Sequence, residues 1–195
     1  MSTIHPIEAE SYRILAERVD LSGFGPLAGA VVARVIHASA DLDYARTMVV
    51  DDHAVAVGIA ALAGGAPIVV DVEMVRHGMT EIDGECFLPA TAPEGTTRSA
   101  AGIALAAERH PQGAVVVIGC APTALEEVVR LYETSRFSPA LVIGLPVGFV
   151  GAAECKERLR ASGLPAISNV GEKGGSAVAA AATNALIRLA RDRRG

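Results

Sequence analysis

Apolar residues along this chain follow two rhythms, and the change from one to the other divides it. In the first third, Ile7, Ser11, Ile14 and Leu15 recur at helical spacing behind Pro6, a residue suited to the first turn of a helix. Pro26 opens a second helix through about Ala38, and Asp51 or Asp52 starts a third that stops at Gly64-Gly65. The texture then changes to brief, mostly β-rich apolar runs: Ile68-Val69-Val70-Asp71-Val72, Ala114-Val115-Val116-Val117-Ile118, Ala140-Leu141-Val142-Ile143 and the shorter Ala166-Ile167-Ser168. The first three show no polar alternation, as expected of parallel strands covered on both sides.

Helical segments at 97–109, 123–136, 151–162 and 176–191 alternate with these runs. The sequence therefore predicts an α/β fold with a mainly parallel central sheet, flanked by helices on both faces, within one domain spanning residues 1–195. Ligands of such sheets bind beyond the carboxyl ends of the strands, which singles out the connections 73–81, 119–123, 144–151 and 169–176. Each is read as a loop rich in glycine or proline, and three run into a helix N-terminus able to hold carboxylates or phosphates.

Composition narrows the function classes. The chain has 195 residues, 51% of them hydrophobic and only 4% aromatic, so small and β-branched side chains must make the core. A net charge of −5 and no dense basic stripe argue against nucleic acid or an anionic membrane as partner. The basic cluster from Arg188 to Arg194 reads as a solvated helix end complementing the helix dipole. Cys86, Cys120 and Cys155 are odd in number and far apart, which fits a reducing cytoplasm better than a disulfide framework or zinc site. No pair of histidines has metal-ligand spacing, and no apolar stretch approaches a membrane span. A soluble, unprocessed cytoplasmic protein with neither metal nor cofactor is expected.

His37 is the one imidazole embedded in an apolar helical run, Arg34-Val35-Ile36-His37-Ala38-Ser39-Ala40-Asp41. That placement suits a proton donor, with Asp41 available to favour the charged ring if the helix continues that far; it equally suits a packed core histidine. Arg76, His77 and Thr80 stand in the 73–81 connection, where a polar residue can contact a ligand or simply face water. Lys173, Gly174 and Ser176 belong to a turn able to cradle an anion, although neither Lys173-Gly174-Gly175-Ser176 nor Gly144-Leu145-Pro146-Val147-Gly148 has nucleotide-binding spacing. Cys120, near a helix start, raises the alternative of a low-pKa nucleophile.

Several stretches together carry a family likeness: the helix around His37, Thr96-Thr97-Arg98-Ser99-Ala100, Ala121-Pro122-Thr123, Pro146-Val147-Gly148-Phe149-Val150-Gly151 and Lys173-Gly174-Gly175-Ser176. The chain resembles the precorrin-8X methylmutases of corrin biosynthesis over nearly its whole length. The resemblance implies transfer of a methyl group from C-11 to C-12 of precorrin-8X or cobalt-precorrin-8, giving hydrogenobyrinate or cobyrinate, by a proton-assisted 1,5-sigmatropic shift. It implies His37 as proton donor, Ser11 and Arg98 at the active site, no cofactor, and a homodimer with sites near the subunit interface. Two departures stand out: Val170-Gly171-Glu172 replaces an Arg-Gly-Arg common in the family, and the connector between Val75 and Thr96 is shorter than in many relatives; Cys120 also stands where asparagine is usual. The competing expectations are a tetrapyrrole carrier without turnover and a cysteine-dependent enzyme.

Overall fold

The computed structural model describes residues 5–192. Among them lie the helices α1 (Pro6–Arg18), α2 (Pro26–Ser39), α3 (Tyr44–Thr47), α4 (Asp52–Ala63), α5 (Glu73–Gly78), α6 (Arg98–Arg109), α7 (Pro122–Glu133), α8 (Ala152–Ala161) and α9 (Ser176–Asp192). The strands are β1 (Met48–Val49), β2 (Ile68–Val70), β3 (Glu85–Cys86), β4 (Val115–Ile118), β5 (Leu141–Gly144) and β6 (Ala166–Asn169). They form one sheet in the order β1-β6-β5-β4-β2-β3. Every neighbouring pair is parallel except β1 with β6.

The expected α/β fold is observed, and its layers follow from the strands. All residues of β2, β4 and β5 are buried, so both faces need cover. Ile68, Val70, Val115, Val117, Leu141 and Ile143 point into one core with side chains of α1, α2, α4, α5 and α9. Val69, Val116, Ile118 and Val142 point the other way, against α6, α7 and α8. The period of two along each strand thus sorts the helices into two layers.

The structure corrects the 73–81 connection, expected as a loop: its first part is the helix α5. Glu73 in the first turn and Arg76 and His77 in the last match the helix dipole, a signal legible in the sequence. The two-residue strands β1 and β3 and the four-residue α3 were not expected. They are too short for any hydrophobic period to register.

Three polar contacts, two of them made by buried side chains, fix the ends of elements. Asp71, at the end of β2, accepts hydrogen bonds from the backbone N–H groups of Gly119 (3.0 Å), Cys120 (2.8 Å) and Ala121 (3.0 Å), clamping the turn between β4 and α7. From α8, the buried Lys156 donates through Nζ to Asn169 Oδ1 (3.0 Å) and the Lys173 carbonyl (2.7 Å), which shapes the 169–175 loop. Burial lowers the pKa of this ammonium to about 8.

The third contact concerns the helix that carries His37. Its N-cap is Gly25, which has no side chain to offer. Asp52 of α4 reaches across instead and accepts from the N–H groups of Leu27 (3.1 Å) and Ala28 (2.8 Å), while Asp51 caps α4 itself through Ala54 N–H (2.7 Å). Replacing Asp52 with Ala should therefore cost about 1–2 kcal/mol, with Asp52→Asn costing less because it retains an acceptor. Urea unfolding of both variants checks this; equal loss in the two would locate the effect in charge rather than capping.

Candidate active site

His37 lies in the last turn of α2, half-buried on the side that meets α1. Ser11 Oγ is 2.7 Å from His37 Nδ1, and the Tyr12 ring stacks on the imidazole with centroids 4.9 Å apart and planes 11° from parallel. Consecutive residues of α1 thus hold the ring by one hydrogen bond and one stacked face. The Nδ1 contact leaves the other ring nitrogen, Nε2, without a hydrogen bond among the described residues. Ser11, His37, Ile14, Leu15, Ile36 and Leu42 border a shallow hollow of about 110 Å³. Tyr12 also forms a wall of a larger cleft, about 320 Å³, lined by Arg34, Thr80, Glu81, Asn184 and Arg188 among others.

Charges surround this pair. Glu8 Oε1 is 2.9 Å from Arg188 Nη1 and 3.5 Å from Arg34 Nη1. The hydrogen bond from Arg188 holds the Glu8 carboxyl below the usual range. Burial and the nearby Arg34 hold the His37 pKa below the ordinary 6.5, Glu8 opposes them, and Arg188 adds to the lowering. Asp41, available to the ring only if the helix continued that far, does not reach it. The helix ends at Ala40 in the left-handed conformation (φ 53°), and the Asp41 carboxylate instead meets Lys173 Nζ at 2.6 Å. Glu8 is the carboxylate that acts on the imidazole.

The precorrin-8X methylmutase family model matches residues 6–189, which spans α1, α2 and nearly all of α9. The chain belongs to the precorrin-8X methylmutase family. Among curated relatives, the cobalt-precorrin-8 methylmutase of Methanocaldococcus jannaschii is 38% identical, over 92% of this chain and 87% of that protein. The precorrin-8X methylmutase of Pseudomonas aeruginosa is 41% identical over 92% and 93% respectively. A crystal structure of the precorrin-8X methylmutase from Thermus thermophilus superposes with a TM-score of 0.87 at 39% identity, covering 96% of each chain. Membership makes the chain an isomerase of the methylmutase class.

Of the residues singled out from the sequence, the structure brings together Ser11, His37 and, across the Tyr12 wall, Thr80. Arg98 stands apart at the start of α6 in the opposite helix layer, where its Nε donates to the Pro89 carbonyl at 2.7 Å. Arg76 is occupied by a two-pronged contact with Asp83, 2.8 Å on each arm, and His77 is exposed with Nδ1 against the Glu73 carbonyl. Lys173 bridges Asp41 and Asp43 just beyond α2. Gly174 is pressed against backbone, since a Cβ there would lie 2.3 Å from the carbonyl oxygens of Leu145 and Pro146. Ser176 is buried.

Two expectations change. The stretch from Arg188 is not simply a solvated helix end: Arg188 pairs with Glu8 and Arg191 with Glu81 (2.8 Å), while Arg193 and Arg194 lie outside the described residues. The thiol of Cys120, on an exposed residue, has a raised rather than lowered pKa through partial desolvation and the nearby Asp71 carboxylate, which already holds the turn's amides. That removes the electrostatic basis for a thiolate nucleophile.

Sequence reasoning passed over Glu8, Tyr12, Arg34 and Arg188 as site residues. The available signal was spacing: Glu8, Ser11 and Tyr12 share one face of α1, and Arg34 precedes His37 by one turn, a polar stripe on an otherwise apolar helix. Removing the hydroxyl in Ser11→Ala should erase a tautomer preference of about 1 kcal/mol at His37, roughly fivefold in population. Imidazole ¹⁵N shifts at a pH where the ring is neutral read this directly, and unchanged shifts would mean that Ser11 does not hold the ring.

Proposed function

We propose that this protein isomerises precorrin-8X or cobalt-precorrin-8, moving a methyl group from C-11 to C-12 by a proton-assisted 1,5-sigmatropic shift, with His37 as the acid. The reading is carried by the Ser11–His37 pair in a chain that matches the methylmutase family from α1 to α9. Such a shift needs the macrocycle held in one geometry and a proton placed on a ring nitrogen; both demands fall on residues already present. In the imidazolium form both ring nitrogens donate, so Nδ1–H goes to Ser11 Oγ and Nε2–H is presented to the substrate. The stacked Tyr12 ring limits rotation of the acid.

The lowered His37 pKa supplies a control. Before binding, the imidazole is largely neutral at physiological pH; a substrate bearing many carboxylates favours its protonated form. The acid is thereby armed by the molecule it serves. The hollow at His37, about 110 Å³, holds only an edge of a macrocycle, which must extend over the neighbouring cleft. A homodimer whose second subunit covers the open side suits this geometry, and the exposed Phe149 (96%) and Val150 (87%) offer apolar surface of the kind a subunit contact covers. In such an assembly Arg98, remote from His37 within one chain, would serve the substrate from the partner. Arg76, His77, Lys173, Gly174 and Ser176 take secondary parts: Lys173 and Gly174 hold the loop beside the end of α2, the buried Ser176 packs the start of α9, and Arg76 and His77 act only on substrate groups reaching beyond the cleft.

Incubation with precorrin-8X and with its cobalt complex separately, followed by absorbance as conjugation changes, tests the activity; stoichiometric binding without turnover would instead identify a carrier. His37→Asn should fold and bind corrinoid while turning over about 10²- to 10⁴-fold more slowly. Normal turnover by that variant would move the acid elsewhere.

The pH profile separates free protein from complex. Because the competent form is protonated, kcat/KM should fall as pH rises through the lowered pKa of free His37, with its midpoint below 6.5. The corresponding fall in kcat should lie at higher pH, where the bound substrate has raised the pKa. Coincident midpoints would exclude arming by substrate charge.

A further inference from the structure

Arg34 and Arg188 line a cleft, yet little of their hydrogen-bonding capacity is used. Arg13, Arg76, Arg130 and Arg158 each engage carboxylates through two guanidinium nitrogens. Arg188 donates one hydrogen bond to a single oxygen of Glu8, Arg34 meets that same oxygen only as an ion pair at 3.5 Å, and among the described residues neither guanidinium has a further hydrogen bond. Their side chains are 24% and 42% exposed, so the spare donors are only partly served by bulk water. Half-buried donors left open toward a cavity mark a place where an acceptor is missing.

The cavity is the cleft behind Tyr12. Arg34 and Arg188 line it, with Thr80, Asn184 and Glu81. Glu81 pairs with Arg191, and Asp192 lies near both Arg191 and Arg188, so the charges of the cluster balance overall; what stays unused is the donor capacity of Arg34 and Arg188 beside the cleft. The planar fork of each arginine suits a carboxylate better than a chloride or a neutral amide. One face of the Tyr12 ring covers His37 and the residue also walls the cleft, so an anion held there lies one side chain away from the imidazole.

We propose that Arg34 and Arg188 form a subsite for one carboxylate side chain of a polycarboxylate macrocycle, with Glu8 as the built-in counter-ion that keeps the two guanidiniums together until the ligand arrives. The inference rests on the substrate class assigned above, and it gives the cluster a binding role beyond tying α1 to α2 and α9. Binding there adds an acceptor without displacing Glu8, because each guanidinium has donors to spare.

The test is equilibrium titration of the full-length protein with hydrogenobyrinate, followed by absorbance, for wild type, Arg34→Gln, Arg188→Gln, Glu8→Gln and Arg136→Gln. The last removes an exposed guanidinium in the turn after α7 and reports the effect of net charge alone. Arg34→Gln and Arg188→Gln should each weaken binding by about tenfold or more, as expected for a lost charge-assisted hydrogen bond. Glu8→Gln should tighten it several-fold, and Arg136→Gln should leave it within about twofold of wild type. If a Gln variant does not fold, Arg34→Lys or Arg188→Lys replaces it; keeping charge but losing the fork, it should bind less tightly than wild type.

A second probe, tricarballylate, should bind the wild type and shift the His37 Cε1–H resonance, and lose that effect in Arg188→Gln. The groups facing His37 that this readout must separate are Glu8, Tyr12 and Arg18 from α1, Arg34 from its own helix and Arg188 from α9. Arginine variants that bind both probes like Arg136→Gln, or a Glu8→Gln that weakens binding, would make the cluster a structural pin and overturn the subsite. A wild type that binds neither probe overturns it as well. Corrinoid binding with the expected variant pattern but no turnover of precorrin-8X would uphold the subsite and remove the methylmutase reading.

Discussion

Strands that are apolar on both faces leave the chain no choice but two helical layers. In β4 every side chain from Val115 to Ile118 is fully buried, with Val115 and Val117 facing one core and Val116 and Ile118 the other. Burying such a sheet yields roughly 25 cal/mol per Å² of apolar surface, and exposing either face would forfeit half of it. Everything else is arranged within that constraint. One layer, α6 with α7 and α8, supports the sheet; the other, containing α1, α2 and α9, carries the imidazole and the arginine cluster.

Polar groups inside this apolar frame are few, and their partners place the site. Asp71 takes three backbone amides of the β4–α7 turn, Lys156 holds Asn169 and the Lys173 carbonyl, and Asp52 caps the helix that ends beside His37. Each joins elements distant in sequence. An unpaired buried charge would cost several kcal/mol, so these contacts act as tight geometric restraints even where their net contribution to stability is modest. Lys173 extends the same chain of contacts to Asp41 and Asp43 at the end of α2.

The electrostatics around His37 are compatible with the acid role proposed for it. Partial burial and two arginines disfavour the charged ring, while Glu8 partly restores it. A lowered pKa avoids a charged group waiting in a half-apolar wall; in the proposed mechanism the negative charge that favours protonation arrives with the substrate. On the proposed reading, an acidic protein can serve an acidic ligand because local guanidiniums, rather than the net charge of −5, set the potential in the cleft.

Periodicity alone settled the α/β plan, because a run such as Val115-Val116-Val117-Ile118 can be satisfied only between two covers, and the longer helices announced themselves through proline at their starts and small or acidic capping residues. His37 was legible as the one imidazole in an apolar helix, and Ser11 through family likeness. The short edge strands β1 and β3 were not, since two residues carry no period. Nor could the sequence show that Asp41 turns away to Lys173 while Glu8 takes its place beside the ring, or that Arg188, from the other end of the chain, shares Glu8 with Arg34. Local pattern reflects which face of an element is buried; which charges meet across faces depends on how α1, α2 and α9 cross. Only the packed tertiary structure decides that, because residues 180 positions apart in the chain become neighbours through packing and not through any spacing between them.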